Sequence, residues 1–205
     1  MKTRNLRIAA IGFCVLLAAS VFISRPQSAS ALDSSRAVRA EELNAPHLIR
    51  AICSSSNALV TRTRDLAHTR TEFADELKSR RTQRTLLAAR ITALANSAAA
   101  SRAQIMEIRR GAGPRYAAQL RGIGVALGRA ETHLREISSR VANLPIGDRD
   151  NWAVSLRDLS NEKGYADGTA ALSSFKKAAF TGPIGIRLKT LARREPLCDA
   201  LLSSL

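Results

Sequence analysis

The cysteines carry the most definite chemistry in this sequence. Cys14 lies inside an apolar run near the N-terminus. Cys53 and Cys198 lie near opposite ends of the chain that follows this run. Neither of the latter has a second cysteine or a histidine at the sequence spacing of a C-x-x-C redox pair, a haem site or a four-ligand zinc site. An exported chain with two remaining cysteines favours a structural Cys53–Cys198 disulfide. Two unpaired buried thiols are the alternative.

The histidines form no recognisable metal motif. His68 precedes Glu72, and His133 precedes Glu136, by about one helical turn, but neither pair has a third ligand or an E-x-x-H repeat. We therefore expect His47, His68 and His133 to lie on solvated helix faces. We expect no metal or other cofactor.

The glycine run in residues 122–128 and the common catalytic motifs give little indication of an enzyme. The run Gly122-x-Gly124-x-x-x-Gly128 is a poor match to a dinucleotide-binding loop, because no strand precedes it. Glycines inside a helix cost about 1 kcal/mol each relative to alanine, so we expect a neighbouring helix to approach closely there. The sequence contains no H-E-x-x-H, G-x-S-x-G or phosphate-loop motif. These patterns favour a protein that is not an enzyme, and a catalytic site in the C-terminal third is a minor alternative.

Basic residues outnumber acidic ones by 32 to 17, and the formal net charge is +15. One basic stretch comprises Arg62, Arg64, Arg70, Lys78, Arg80, Arg81, Arg84 and Arg90. It is either a solvated helix with internal ion pairs, or a contact surface for an acidic partner such as anionic lipid, an acidic envelope polymer or protein carboxylates. Nucleic acid is not the expected partner, because the chain has few aromatics and no recognition motif.

The N-terminus has the pattern of a secretory signal. Residues 1–7 contain three basic side chains and no acidic ones, and residues 8–23 are apolar or small. That run is shorter than the roughly 20 residues of a membrane-spanning helix, and the A-x-A site Ala29-Ser30-Ala31 follows it. We predict cleavage after Ala31, which lowers the net charge from +15 to +11 by removing four basic residues. An uncleaved anchor in the inner membrane is the alternative.

A seven-residue repeat from Ile49 to Ile108 is the strongest structural pattern. Its two stripes contain eighteen seam positions, twelve of them apolar, and no glycine or proline falls between Pro46 and Gly111. This pattern is typical of a coiled coil. It predicts a flexible linker over residues 32–45 and one long helix over residues 46–110, with Pro46 in its first turn.

A turn and a second helix follow. Gly111, Gly113 and Pro114 predict a hairpin turn in which a glycine forms a left-handed C-cap and Pro114 starts the next helix. Residues 114–144 carry an entirely apolar stripe: Tyr116, Leu120, Ile123, Leu127, Ala130, Leu134, Ile137, Val141 and Leu144. We expect this helix to fold back antiparallel on residues 80–110.

The chain from residue 145 to residue 205 predicts a small helical head. Helices are expected at about 150–161, 169–180 and 185–203, the last broken at Glu195-Pro196. The apolar stripe over residues 49–77 needs a covering partner, and a disulfide from Cys198 to Cys53 would bring the head there. The predicted fold is thus all-α: a long antiparallel coiled-coil hairpin with a C-terminal head packed on its proximal half.

Two functions fit these features. The first is an exported bacterial cell-envelope protein, periplasmic or secreted, that acts as a non-enzymatic scaffold, adaptor or regulator through helix-mediated contacts with a partner protein. The bacterial origin is inferred from the arginine-rich composition, since 26 of the 32 basic residues are arginine. The alternative is a secreted basic protein that binds anionic membranes or polymers through its arginine-rich helix. A homo-oligomer is compatible with either function.

Overall fold

The computed structural model describes residues 28–75, 79–147, 149–161, 166 and 168–204. Those residues form an all-α fold with no strand, as predicted. Three long helices come first: α1 (Ser28–Asp75), α2 (Arg80–Gly111) and α3 (Pro114–Ala142). Shorter elements follow: α4 (Arg149–Asn161), α5 (Ala171–Phe180), α6 (Gly182–Ala192), a 3₁₀ turn (Pro196–Cys198) and α7 (Asp199–Ser203).

The predicted hairpin of α2 and α3 is confirmed. Eight of the nine stripe residues of α3 are buried, among them Leu120, Ile123, Leu127 and Leu134, and they pack on α2. Pro114 occupies the first turn of α3, as expected. The left-handed C-cap is wrong, because Ala112 and Gly113 are both extended with negative φ. The turn therefore needs the proline start of α3 but no glycine with positive φ.

The prediction of one helix over residues 46–110 is wrong. The chain forms α1 and α2 instead, and α2 runs antiparallel to α1, with Ser101 of α2 donating a hydrogen bond to the Ser55 carbonyl at 2.6 Å. Ser79 restarts the helix, because its Oγ accepts the Thr82 backbone N–H at 3.3 Å. A seven-residue repeat identifies which side of a helix is buried but not the direction of the chain, so two helices in phase resemble one.

The predicted flexible linker over residues 32–45 is also wrong. These residues belong to α1, and Pro46 lies inside that helix rather than in its first turn. The segment is rich in alanine, leucine, arginine and glutamate, all good helix formers, and this composition outweighs the break expected at Pro46.

The C-terminal helices form the predicted head and cover the proximal part of the bundle. Helix α5 packs on α3 and also contacts α1, whereas α6, the 3₁₀ turn and α7 pack on α1. Phe175, Leu188 and Leu201 supply the buried side chains of this contact. An ion pair of 3.1 Å between Arg50 Nε and Glu195 Oε2 joins α1 to the residue before the 3₁₀ turn. The apolar side of α1 is thus shared between α2 and the head.

The predicted signal segment is residues 1–31, of which residues 1–27 lie outside the described residues, and cleavage after Ala31 stays a prediction. Helix α1 begins at Ser28, upstream of that site. Within the part of the chain that the structure describes, no helix combines the length and the apolar character required to cross a bilayer.

Candidate functional site

The two cysteines predicted to pair come together between α1 and the 3₁₀ turn. Cys53 and Cys198 lie at disulfide distance, with their Cα atoms 5.0 Å apart, and both are fully buried. The predicted pairing is therefore confirmed. Because the bond links residues 145 positions apart and lies in the core, its role is structural.

Several members of the predicted basic stretch bind partners within the chain. Arg62 forms an ion pair of 2.9 Å with Asp65 one turn along α1. Arg90 of α2 donates to the Asp65 carbonyl at 3.1 Å and to Thr69 Oγ1 at 2.8 Å. Arg90 therefore connects α2 to α1, and its guanidinium is used in the fold.

Arg80 and Arg84 satisfy carbonyls in the segment after α3. Arg84 donates to the Leu144 carbonyl at 3.0 Å, and Arg80 donates to the Gly147 carbonyl. The last carbonyls of a helix and those just beyond it lack intrahelical partners and carry partial negative charge, so cations near them are favourable. These two arginines fix the start of α2 against the end of α3.

The other members of the stretch lie apart from these four. Arg64 lines a cleft of about 400 Å³ between α1 and the head, together with Val60 and Leu172. Arg81 is exposed. The side chains of Arg70 and Lys78 lie outside the described residues. Of the six described arginines of the stretch, three thus connect different elements, Arg62 pairs within α1, and two face solvent or a cleft.

A second set of arginines surrounds a groove between α2 and α3. We call it the arginine groove, and it is an open depression of about 400 Å³ lined by Arg102, Met106, Arg121, Gly124, Val125 and Arg129. Gly128 and Thr132 complete its lining. Val125 is 51% exposed at the centre of the stripe that Arg121 and Arg129 flank on α3.

Two glycines make the floor of the groove. A Cβ atom added at Gly124 would lie 3.1 Å from Met106 Sδ, and one at Gly128 would lie 3.3 Å from the guanidinium carbon of Arg102. Glycine at both positions therefore lets the α2 side chains lie against the α3 backbone, as expected from the sequence. A Cβ at Gly122 would meet nothing within 4 Å, so the expected close approach does not occur there.

The charges of the groove are unevenly neutralised. Glu131 lies 3.7 Å from Arg102 and 3.1 Å from Arg135, so one carboxylate serves two guanidinium groups. Arg121 and Arg129 are exposed, and neither has a carboxylate partner among the described residues. The groove is consequently a place of uncompensated positive charge.

Guanidinium groups in this arrangement can bind carboxylates or phosphates through paired N–H donors. Met106 and Val125 add apolar contact between the charges. Sequence reasoning missed this site because it searched for the longest basic run, whereas Arg121 and Arg129 are eight residues apart. The available signal was the four-residue spacing of Arg121, Val125 and Arg129, which places all three on one side of a helix.

Outside the arginine groove, Lys176 makes structural contacts. Lys176 of α5 donates to the carbonyls of Leu202 and Ser204 at 3.3 and 3.1 Å, which holds the C-terminal segment against α5. Partial burial, and then the charge of Lys189, lower the pKa of Lys176 below its ordinary value. His47 and His68 are exposed as expected, whereas His133 is half-buried. The described side chains contain no group of three potential metal ligands.

In comparisons with known proteins, no protein-family model, curated protein or solved structure matches the chain.

Proposed function

We propose that the chain is an exported, non-enzymatic adaptor of the bacterial cell envelope that holds an acidic partner protein in the arginine groove. The observation that carries this proposal is the exposed pair Arg121 and Arg129, which has no carboxylate partner among the described residues although other arginines are used within the fold. The N-terminal signal pattern supports export. The Cys53–Cys198 pair is compatible with an oxidising compartment.

A protein partner is favoured over a flat surface by the shape of the groove. The arginines stand around a depression with a glycine floor, and a depression between two helices fits a protruding element. The apolar stripe of α3 is already buried against α2, so charge is the main attraction that this side of the hairpin offers. Complementary charge speeds association and selects partners.

Site-specific cross-linking in the native envelope tests the proposal. A photo-reactive amino acid replaces Val125 in the groove or, as the matched control, Val154 on α4, which is 43% exposed. We expect the position 125 probe to capture one discrete protein and the position 154 probe to capture none. Addition of 0.5 M salt, or the change of Arg121 and Arg129 to Gln, removes that product because the contact depends on charge. Equal capture at both positions, or capture insensitive to salt and to the Gln variant, contradicts the proposal.

A second candidate function is binding to an anionic membrane or envelope polymer. It is favoured by the outer side of α6, where Ile186 is 62% exposed and Lys189 and Arg193 follow at helical spacing. A side that combines an apolar residue with cations is typical of segments that lie at a lipid interface. Sedimentation with vesicles containing phosphatidylglycerol distinguishes the two candidates. If the second is correct, the protein sediments with the vesicles and the Ile186→Ser variant does not.

A further inference from the structure

The arginine groove also indicates what kind of protein segment binds it. Arg121, Val125 and Arg129 follow each other at intervals of four residues on α3, so they form one slanted stripe. At 1.5 Å per residue, the backbone positions of the two arginines are separated by about 12 Å along the helix axis. The structure thus presents a cation, an apolar side chain and a second cation in a row.

The second helix limits how a ligand can lie on this stripe. Met106 and Arg102 of α2 form the opposite wall, and their side chains lie against Gly124 and Gly128 on the α3 side. Glu131 is engaged with Arg102 and Arg135, and no carboxylate of the described residues forms an ion pair with Arg121 or Arg129. An incoming ligand must therefore bring its own negative charges at two points and an apolar group between them.

An amphipathic helix with acidic residues seven or eight positions apart has that pattern. Its carboxylates are separated by about 10 to 12 Å along its axis, and a residue near the midpoint lies on the same side. We infer that the arginine groove binds an acidic helix of the partner protein, with its two carboxylates on Arg121 and Arg129 and an apolar side chain against Val125 and Met106. This inference rests on the proposed function and specifies the chemistry of its partner.

Binding of a stapled peptide to the full chain tests this inference. The probe is an 18-residue alanine-based helix with Glu at positions 4 and 12 and Leu at position 8, and the matched control has Gln at positions 4 and 12. Fluorescence anisotropy at low salt should give about tenfold weaker binding for each charge contact removed, by Gln in the peptide or by Arg121→Gln or Arg129→Gln. Arg115→Gln, in the first turn of α3 and outside the lining of the groove, should leave binding unchanged.

A charge exchange makes the test independent of folding defects. The variant with Arg121→Glu and Arg129→Glu should lose the Glu peptide and bind a peptide with Lys at positions 4 and 12. Equal affinity of wild type for the Glu and Gln peptides overturns the inference. So does binding to phosphatidylglycerol vesicles through Arg121 and Arg129 without binding to the peptide.

The two proposals fail in different ways. A cross-link from position 125 in the envelope, with no affinity for the Glu peptide, overturns the acidic helix and leaves the adaptor function standing. Affinity for the Glu peptide with no cross-link in the envelope supports the acidic helix and overturns the adaptor function.

Discussion

The two long interfaces of the bundle, α2 with α3 and α1 with α2, are built from different side chains. On its α3 side the first is a seam of leucine and isoleucine, with Leu120, Ile123 and Leu127 almost fully buried. The second contains buried serines and alanines, and Ser101 of α2 donates to the Ser55 carbonyl of α1. Small residues let two helix backbones approach closely, and hydrogen bonds to carbonyls satisfy the buried hydroxyl groups.

This difference explains how the arginines are used. The α1–α2 interface contains polar groups, and Arg90 crosses it to reach Asp65 and Thr69. At the α2–α3 interface, Arg80 and Arg84 bind carbonyls beyond the end of α3, and Arg102 pairs with Glu131 of α3. Beside the apolar middle of the α3 stripe, Arg121 and Arg129 stay exposed and unused within the described fold.

The largest effect is expected from truncation of the apolar seam. Leu127→Ala and Leu134→Ala each remove a fully buried side chain, so each should lower the free energy of unfolding by about 2 to 5 kcal/mol. Urea denaturation measures the change, with the exposed Val125→Ala as control. A shift no larger than that of the control means that α3 does not pack on α2 as described.

Overpacking should distinguish the α1–α2 interface, which contains buried serines, from the apolar seam between α2 and α3. Ser101→Leu places a large side chain where α1 and α2 approach closely, and should cost about 1 to 3 kcal/mol. Ser101→Ala should cost about 1 kcal/mol through the lost hydrogen bond. If leucine at this position stabilises the protein in urea denaturation, the interface is a loosely filled apolar seam and the comparison fails.

Replacement of Arg84 tests the structural arginines. Arg84→Leu removes the donor to the Leu144 carbonyl and should destabilise the protein by about 1 kcal/mol. Position 84 lies on a stripe of the seven-residue repeat that is mostly apolar. Leucine there would therefore be neutral or stabilising if the guanidinium had no partner. Thermal unfolding of Arg84→Leu beside Arg81→Leu, an exposed neighbour, separates these outcomes.

The smallest effect is expected at the glycines of α3. Gly122→Ala adds a methyl group that meets nothing within 4 Å, so it should stabilise the protein by about 0.5 to 1 kcal/mol through better helix propensity. Gly124→Ala should gain less, because its methyl group must displace Met106. An equal gain in melting temperature for both variants would show that the groove floor is not crowded.

The sequence predicted the apolar seam well because every position in the α3 stripe is hydrophobic, and eight of these nine residues are buried. It failed at the reversal between α1 and α2 because a period of seven residues carries no information about chain direction. Ser101, a polar residue in that repeat, is buried and donates to the Ser55 carbonyl across the α1–α2 interface. The head was predictable from its glycine and proline breaks and from the cysteine pair.

The candidate site was less accessible to sequence reasoning. Whether an arginine is free depends on acceptors that folding brings to it, such as the Leu144 carbonyl for Arg84, which lies 60 residues away. Arg121 and Arg129 lack such acceptors among the described residues and are exposed, whereas Arg84 is half-buried. Three-dimensional contacts, and not local composition, separate the two groups.

That separation is tested most directly by paired double variants measured for both stability and cross-linking. Arg121→Gln with Arg129→Gln should leave the urea midpoint unchanged and remove the envelope cross-link from position 125. Arg84→Gln with Arg90→Gln should lower the free energy of unfolding by about 1 to 3 kcal/mol and keep the cross-link in the folded fraction. A loss of stability in the first variant that equals or exceeds the loss in the second would contradict the division between structural and partner-binding arginines.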